Sequence, residues 1–241
     1  MNRIIIALLI FTCFQELSCQ ESSHAYPRRN DQTLSFHDSV FFRQMLFNGK
    51  IWKGRYGHVK GNEFFLSDKW HKGSASVNNI LFDDVNLKYD LFNDQLLTIV
   101  NPGTIIILNS ESVGWFEIFY EGNSFRFENF SLATNPPLKG YVQLIHDGIT
   151  RFYAKYSKLI KPLAVENRYD EFYQKHSLWL LRNGEYHRLS SRKNFISIMD
   201  NGSGKFGKKI KEENLRFSLK DPESLVPVIE LGESLFNGPD K

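Results

Sequence analysis

Val85-Asn86-Leu87-Lys88-Tyr89-Asp90-Leu91-Phe92-Asn93-Asp94-Gln95-Leu96 sets the fold class. Leu87, Tyr89 and Leu91 fall on one side of an extended chain, and Lys88 and Asp90 on the other. That period of two is the mark of a strand with one buried and one wet face. Asn93-Asp94 then interrupts the run, and both residue types tolerate the positive φ of a tight turn. Gln95-Leu96 starts a return strand, so the stretch reads as a hairpin.

The same grammar repeats outward from this hairpin. Phe125 and Phe127 alternate with Arg126 and Glu128. Phe152, Ala154 and Tyr156 oppose Arg151 and Lys155. Ile105–Leu108, Trp115–Tyr120 (apart from Glu117) and Leu178–Leu181 are apolar on both sides, which predicts strands covered on both faces. Turn signals stand between the runs at Asn48-Gly49, Gly61-Asn62, Lys72-Gly73, Asn101-Pro102-Gly103, Gly122-Asn123, Asp147-Gly148 and Asn183-Gly184. Aromatic residues, at 15%, suit rings packed across pleated strands. After Leu189 the pattern turns helical. Ser190-Ser191 caps a short helix carrying Phe195, Ile196, Ile198 and Met199. A basic stretch follows at Lys205–Asn214. A last helix starts at Asp221-Pro222-Glu223, with Pro227 inside it as a kink. The expected fold is α+β: an antiparallel β-rich body over residues 38–190, as a curved sheet or barrel-like, with two or three C-terminal helices in residues 191–241 packed on it.

The N-terminus reads as an address. Arg3 precedes the apolar run Ile4–Phe14, too short for a bilayer and of the length of a secretory signal. Residues 1–20 are taken as a signal peptide and 21–37 as a flexible polar leader. Leu17-Ser18-Cys19 makes Cys19 a candidate lipidation site, although Glu16 stands where such sites carry an aliphatic residue. One acyl chain alone anchors only weakly, so two or more would be needed for stable attachment. The localisation that follows is exported: periplasmic, outer-membrane-associated or secreted. The two cysteines, Cys13 and Cys19, both lie in or beside the signal, which leaves a mature body without thiol chemistry. No later run is long enough for a transmembrane helix, so membrane attachment is expected only through Cys19.

Val85–Leu96 and Gly140-Tyr141-Val142-Gln143-Leu144 through Tyr156 resemble two hairpins of an uncharacterised family of exported β-rich proteins common in Bacteroidota, and the tail from Ser191 resembles its helical ending. The resemblance implies export and this fold, and carries no activity or catalytic residue. Gly232 and Glu233 depart from it where aromatic residues are expected, which predicts a different docking of the last helix.

Tests for chemistry return little. Gly202-Ser203-Gly204-Lys205-Phe206-Gly207-Lys208-Lys209 matches a phosphate loop except at Lys209, where the magnesium-binding hydroxyl belongs. The seven histidines (His24, His37, His58, His71, His146, His176 and His187) form no HExxH or HxH pair. No G-x-S-x-G elbow is present. Glu117 is read as an outward carboxylate of a pleated strand. Trp52, Tyr56, Trp70, Trp115 and Trp179 are candidate lining for a sugar or lipid groove, with core packing as the plainer account. Charge is uneven: residues 151–220 hold 16 basic and 7 acidic side chains, against 12 and 14 in residues 21–150. That basic stretch could meet a polyanion or an anionic membrane surface, with nucleic acid the less expected partner, but a solvated face partly neutralised by the acidic last helix is the plainer account, because the lysines are dispersed. No cofactor is expected. The function expected is an exported envelope component, non-enzymatic, that binds an envelope protein or a ligand. The alternatives are an exported hydrolase or lipid carrier with its site spread over the sheet, and a polyanion binder through residues 151–220.

Overall fold

The computed structural model describes residues 44–132, 137–162, 170–200 and 204–236. Among these residues eleven strands form one antiparallel sheet: β1 (Gly49–Ile51), β2 (His71–Val77), β3 (Ile80–Asp90), β4 (Gln95–Asn101), β5 (Thr104–Leu108), β6 (Val113–Tyr120), β7 (Asn123–Asn129), β8 (Tyr141–Asp147), β9 (Arg151–Lys161), β10 (Glu171–Arg182) and β11 (Glu185–Leu189). Their order is β1-β5-β4-β3-β2-β6-β7-β8-β9-β10-β11. Two meanders therefore run outward from the central β2–β6 pair, each built of hairpins, and β1 returns to the far edge. Asn78-Asn79, Glu121-Gly122 and Asn183-Gly184 all sit at positive φ, matching the right-handed twist of the strands they join. The antiparallel α+β architecture with C-terminal helices is as the alternation predicts. The sheet is curved and not closed.

Its curvature is strong. The Lys158 amide on β9 donates to the Leu91 carbonyl just past β3 at 3.2 Å, although four strands separate β3 from β9 in the sheet. The crossing segment 59–66 closes this end. Phe65 N–H donates to Tyr89 O (2.8 Å), Leu91 N–H to Glu63 O (2.9 Å), Lys60 N–H to Asp170 O (2.7 Å) and Phe172 N–H to Lys60 O (3.0 Å). Backbone groups that an open sheet would leave unpaired are thereby satisfied.

The inner face follows one cross-strand row: Ala75, Phe116, Phe127, Gln143, Ala154, Leu178 and Leu189. Over β2–β8 it buries Phe116, Phe127, Tyr89, Tyr141 and Phe65; Phe116 and Phe127 stack at 4.8 Å, and Phe65 and Tyr89 meet Phe127 edge-on at 5.1 and 5.0 Å. Over β9–β11 the same face carries the helices α1 (Arg192–Met199), α2 (Lys205–Glu212) and α3 (Val226–Phe236), with Phe152, Leu178 and Leu180 packed against Phe195, Phe206, Val228 and Ile229. The outer face of β8–β11 holds a smaller cluster of Phe130, Leu138, Val142 and Tyr153.

Several local expectations change. Lys72-Gly73, read as a turn, lies inside β2, and Phe119 in the run Trp115–Tyr120 is exposed on the outer face. Asp90, placed on a wet face by alternation, is fully buried. Its carboxylate accepts from Phe92 N–H and Asn93 N–H (2.9 Å each) and from the Asn93 amide (2.7 Å), capping the β3–β4 turn beneath segment 59–66. Ile105–Leu108 is not covered on both sides. Ile106 and Leu108 are buried while Ile105 and Ile107 are half-buried, because β5 lies one strand from the edge. The last helix begins as a 3-10 turn, Pro222–Leu225, and becomes α3 only at Val226. Pro227 thus lies in the first turn of α3, where a missing N–H costs nothing. Ser191 caps α1, its hydroxyl accepting from Asn194 N–H at 3.1 Å.

Gly232 and Glu233 explain the docking of α3. A Cβ at Gly232 would stand 2.5 Å from Met199 Cε and 3.2 Å from the Phe206 ring, so its absence allows close approach to α1 and α2. Glu233 ties the helix to the β8–β9 turn, accepting from Thr150 N–H at 2.6 Å and standing 3.2 Å from His146 Nε2.

Candidate ligand site on the inner face of the sheet

Period two and antiparallel register bring a set of polar groups to the seam between the two inner-face clusters. Gln143 on β8 is 3% exposed, an amide in a row of apolar neighbours, between Phe127 and Ala154. Tyr156 on β9 lies two residues beyond Ala154 and packs against both clusters. Its ring is 5.6 Å from Phe65 and 5.8 Å from His176, its cross-strand neighbour on β10.

The roof is the chain between α2 and α3. His176 Nε2 lies 2.7 Å from Leu219 O; a carbonyl only accepts, so that nitrogen carries the proton. Ser224 Oγ donates to Asp221 O at 2.6 Å, and Arg216 stands 3.4 Å from the Asp221 carboxylate. These ties hold Asp221 and Glu223 above the sheet. Glu223 is exposed as a residue, yet its carboxyl pKa is raised, first by burial and then by the Asp221 charge, with a hydrogen bond from Gln143 opposing. The Tyr156 hydroxyl is pushed up to about 12 by burial first and by the Glu223 and Asp221 charges next. Phe65, Phe125 and Ile145 supply the apolar surroundings. A phenol, an amide and two carboxylates beside aromatic walls can grip the polar end of a molecule whose remainder is apolar.

A second polar group joins the two hairpins quoted from the sequence. Asp94 accepts from the Tyr89 hydroxyl (2.5 Å), from Lys155 Nζ (2.8 Å) and from Tyr141 N–H (3.4 Å). Tyr89 and Lys155 also reach the Tyr141 carbonyl, at 3.2 and 3.0 Å. A third group lines the crossing segment. Lys158 Nζ donates to Phe64 O (2.6 Å) and to Asn62 O (2.9 Å), and burial lowers its pKa. Burial first, then the Asp90 charge, raises Glu63. Burial also lowers Lys88, whose ammonium sits over Phe64 at 4.7 Å and Trp70 at 4.8 Å. Both groups are ties between chain segments.

The five sequence-picked aromatics do not share a groove. Trp52 packs on Phe64 at 6.0 Å, Tyr56 on Phe92 and Phe172 at 5.0 and 5.8 Å, and Trp70 on Lys88; all three belong to the chain around the crossing segment. Trp115 lies on the outer face under Arg126, 4.2 Å from its guanidinium, and Trp179 packs against the outer cluster. Glu117 points outward and accepts from Ser124. His71 faces Ser67 Oγ, His146 faces Glu233 and His176 faces Leu219, so these histidines do not converge. Among the described residues no three His, Cys, Asp or Glu stand together as metal ligands, and no helix is long and apolar enough to cross a membrane. Cys19, the signal, the leader, His24 and His37 lie outside the described residues, as do Gly202 and Ser203 of the phosphate-loop resemblance; Lys205–Lys209 opens α2.

Sequence reasoning missed the inner site as a set. Alternation placed Tyr156 inside, but nothing local marks Gln143 as buried or brings Glu223 to the same seam. No protein-family model, curated protein or solved structure matches the chain.

Proposed function

We propose that this is an exported cell-envelope protein that acts by binding, and that its ligand is an amphiphile held between the inner face of the sheet and the roof carrying Asp221 and Glu223. One observation carries the reading: Tyr156 packs against both inner-face clusters, and buried Gln143 and the Asp221–Glu223 roof supply polar groups beside it, at the seam between two apolar surfaces. The apolar part of the ligand lies along Phe65, Phe125 and Ile145, and its polar end meets Tyr156, Gln143 and Glu223. The buried charges elsewhere are spent on holding segments together, which supports binding over catalysis.

The test is titration of the chain with N-phenyl-1-naphthylamine, a neutral apolar fluorophore, and displacement by dodecylamine. Saturable binding is expected, weakened at least tenfold in Phe125→Ser/Tyr156→Phe. Absence of saturable binding, or affinity unchanged in that variant, overturns the proposal. The raised Glu223 carboxyl beside Asp221 favours a second reading, an exported hydrolase using the same place with Glu223 as proton donor. Ester turnover lost in Glu223→Gln while probe binding persists would select it.

A further inference from the structure

Helix α2 carries its exposed lysines on one side. α2 buries Phe206 and Ile210, one turn apart, and exposes Lys205, Lys208 and Lys211 at successive three-residue steps, which places all three on its water-facing half. Lys209, at the flank of that arc, stands 3.5 Å from both Glu212 and Glu213. Arg192 and Lys193 are exposed in the first turn of α1, which packs on α2 through Phe195 and Phe206 at 5.9 Å. Residues 191–220 hold eight basic and three acidic side chains. Folding therefore turns a dispersed basic stretch into a lysine face.

We propose that the lysine face of α2, extended by Arg192 and Lys193, docks the protein onto an anionic membrane surface. Lysine ammoniums are compact point charges that suit a diffuse plane of negative headgroups, whereas reading of nucleic-acid phosphates and bases favours the planar fork of arginine. An eight-residue helix flanked by glutamates also gives no extended track for a polynucleotide. A polybasic face is one of the signals that make membrane attachment stable when combined with a lipid anchor, for which Cys19 is the candidate in this sequence. This docking does not depend on what the inner site holds.

The experiment is co-sedimentation of the full chain with vesicles of 70% phosphatidylcholine and 30% phosphatidylglycerol, and with phosphatidylcholine alone. The apolar residues 4–14 can enter either vesicle, so the reading is the ratio of the two affinities. A ratio well above one is expected at low salt, falling steeply when salt is raised. Each lysine contributes about fivefold, so Lys208→Gln/Lys211→Gln lowers the ratio about 25-fold, and Lys50→Gln/Lys53→Gln, exposed at the β1 edge, leaves it unchanged. Matching thermal melts show that the variants are folded. A wild-type ratio of one, a ratio that survives Lys208→Gln/Lys211→Gln, or retention on a DNA duplex without retention on anionic vesicles overturns the proposal.

Discussion

Replacing Gly140 by alanine tests the tie between the two hairpins. Gly140 sits at φ 67°, and a Cβ there would collide with the Asp94 carboxylate and approach Lys155 Nζ to 3.0 Å. Left-handed backbone costs alanine about 1–2 kcal/mol. To make room, Asp94 must leave the Tyr89 hydroxyl and the Lys155 ammonium. The two charge-assisted bonds would count about 1.5–3 kcal/mol each if buried; Asp94, common to both, is 35% exposed and Lys155 22%, so about 1 kcal/mol each is the better figure. Gly140→Ala alone should then cost about 3–4 kcal/mol, and Asp94→Ala alone about 2 kcal/mol. In the double variant the collision is gone and the lost bonds are counted once. Its cost should be about 3–4 kcal/mol, so the pair couples by about 2 kcal/mol. Urea unfolding followed by tryptophan fluorescence measures all four corners of the cycle. Additive losses within about 0.5 kcal/mol would refute the view that Gly140 is required by Asp94.

Two further variants probe other links. Gly232→Ala gains helix propensity of about 1 kcal/mol but drives a methyl into Met199 and Phe206, an overpacking of about 1–3 kcal/mol; a lower melting temperature is expected, and a rise would show that α3 is free to shift. Glu63→Gln reports on the crossing segment. Burial raises the Glu63 carboxyl in the fold, so the stability it contributes is full below its ordinary value of 4.5 and is lost as pH rises through the raised value. The variant should therefore melt higher than the parent at pH 7, with the gap closing near pH 4. A gap constant across that range would count against a buried, charged Glu63.

The hairpins were legible because their signals are local. Leu87, Tyr89 and Leu91 had to share a face, and Asn93-Asp94 had to turn, whatever lay elsewhere. The cap at Ser191 and the apolar side of α1 were readable for the same reason. The burial of Asp90 was not legible, because alternation knows only a strand and its two faces, and its cover comes from residues 59–66, brought across the sheet end. The tryptophans left groove lining and core packing both open, because side-chain size says nothing about which face of which strand a ring occupies. Gln143 and Glu223 are 80 residues apart, and neither carries a mark in the sequence that names the other.

The amino-acid order by itself determined the strand-and-turn pattern, the antiparallel class and the helical ending, since each depends on contacts between residues a few positions apart. Tertiary structure alone decided how far the sheet curls, and with it the meeting of β3 with β9, the burial of Asp90 and the seam where Tyr156, Gln143 and Glu223 gather. Curvature accumulates from the twist of every strand pair, so it is a property of the assembled sheet that no single stretch encodes.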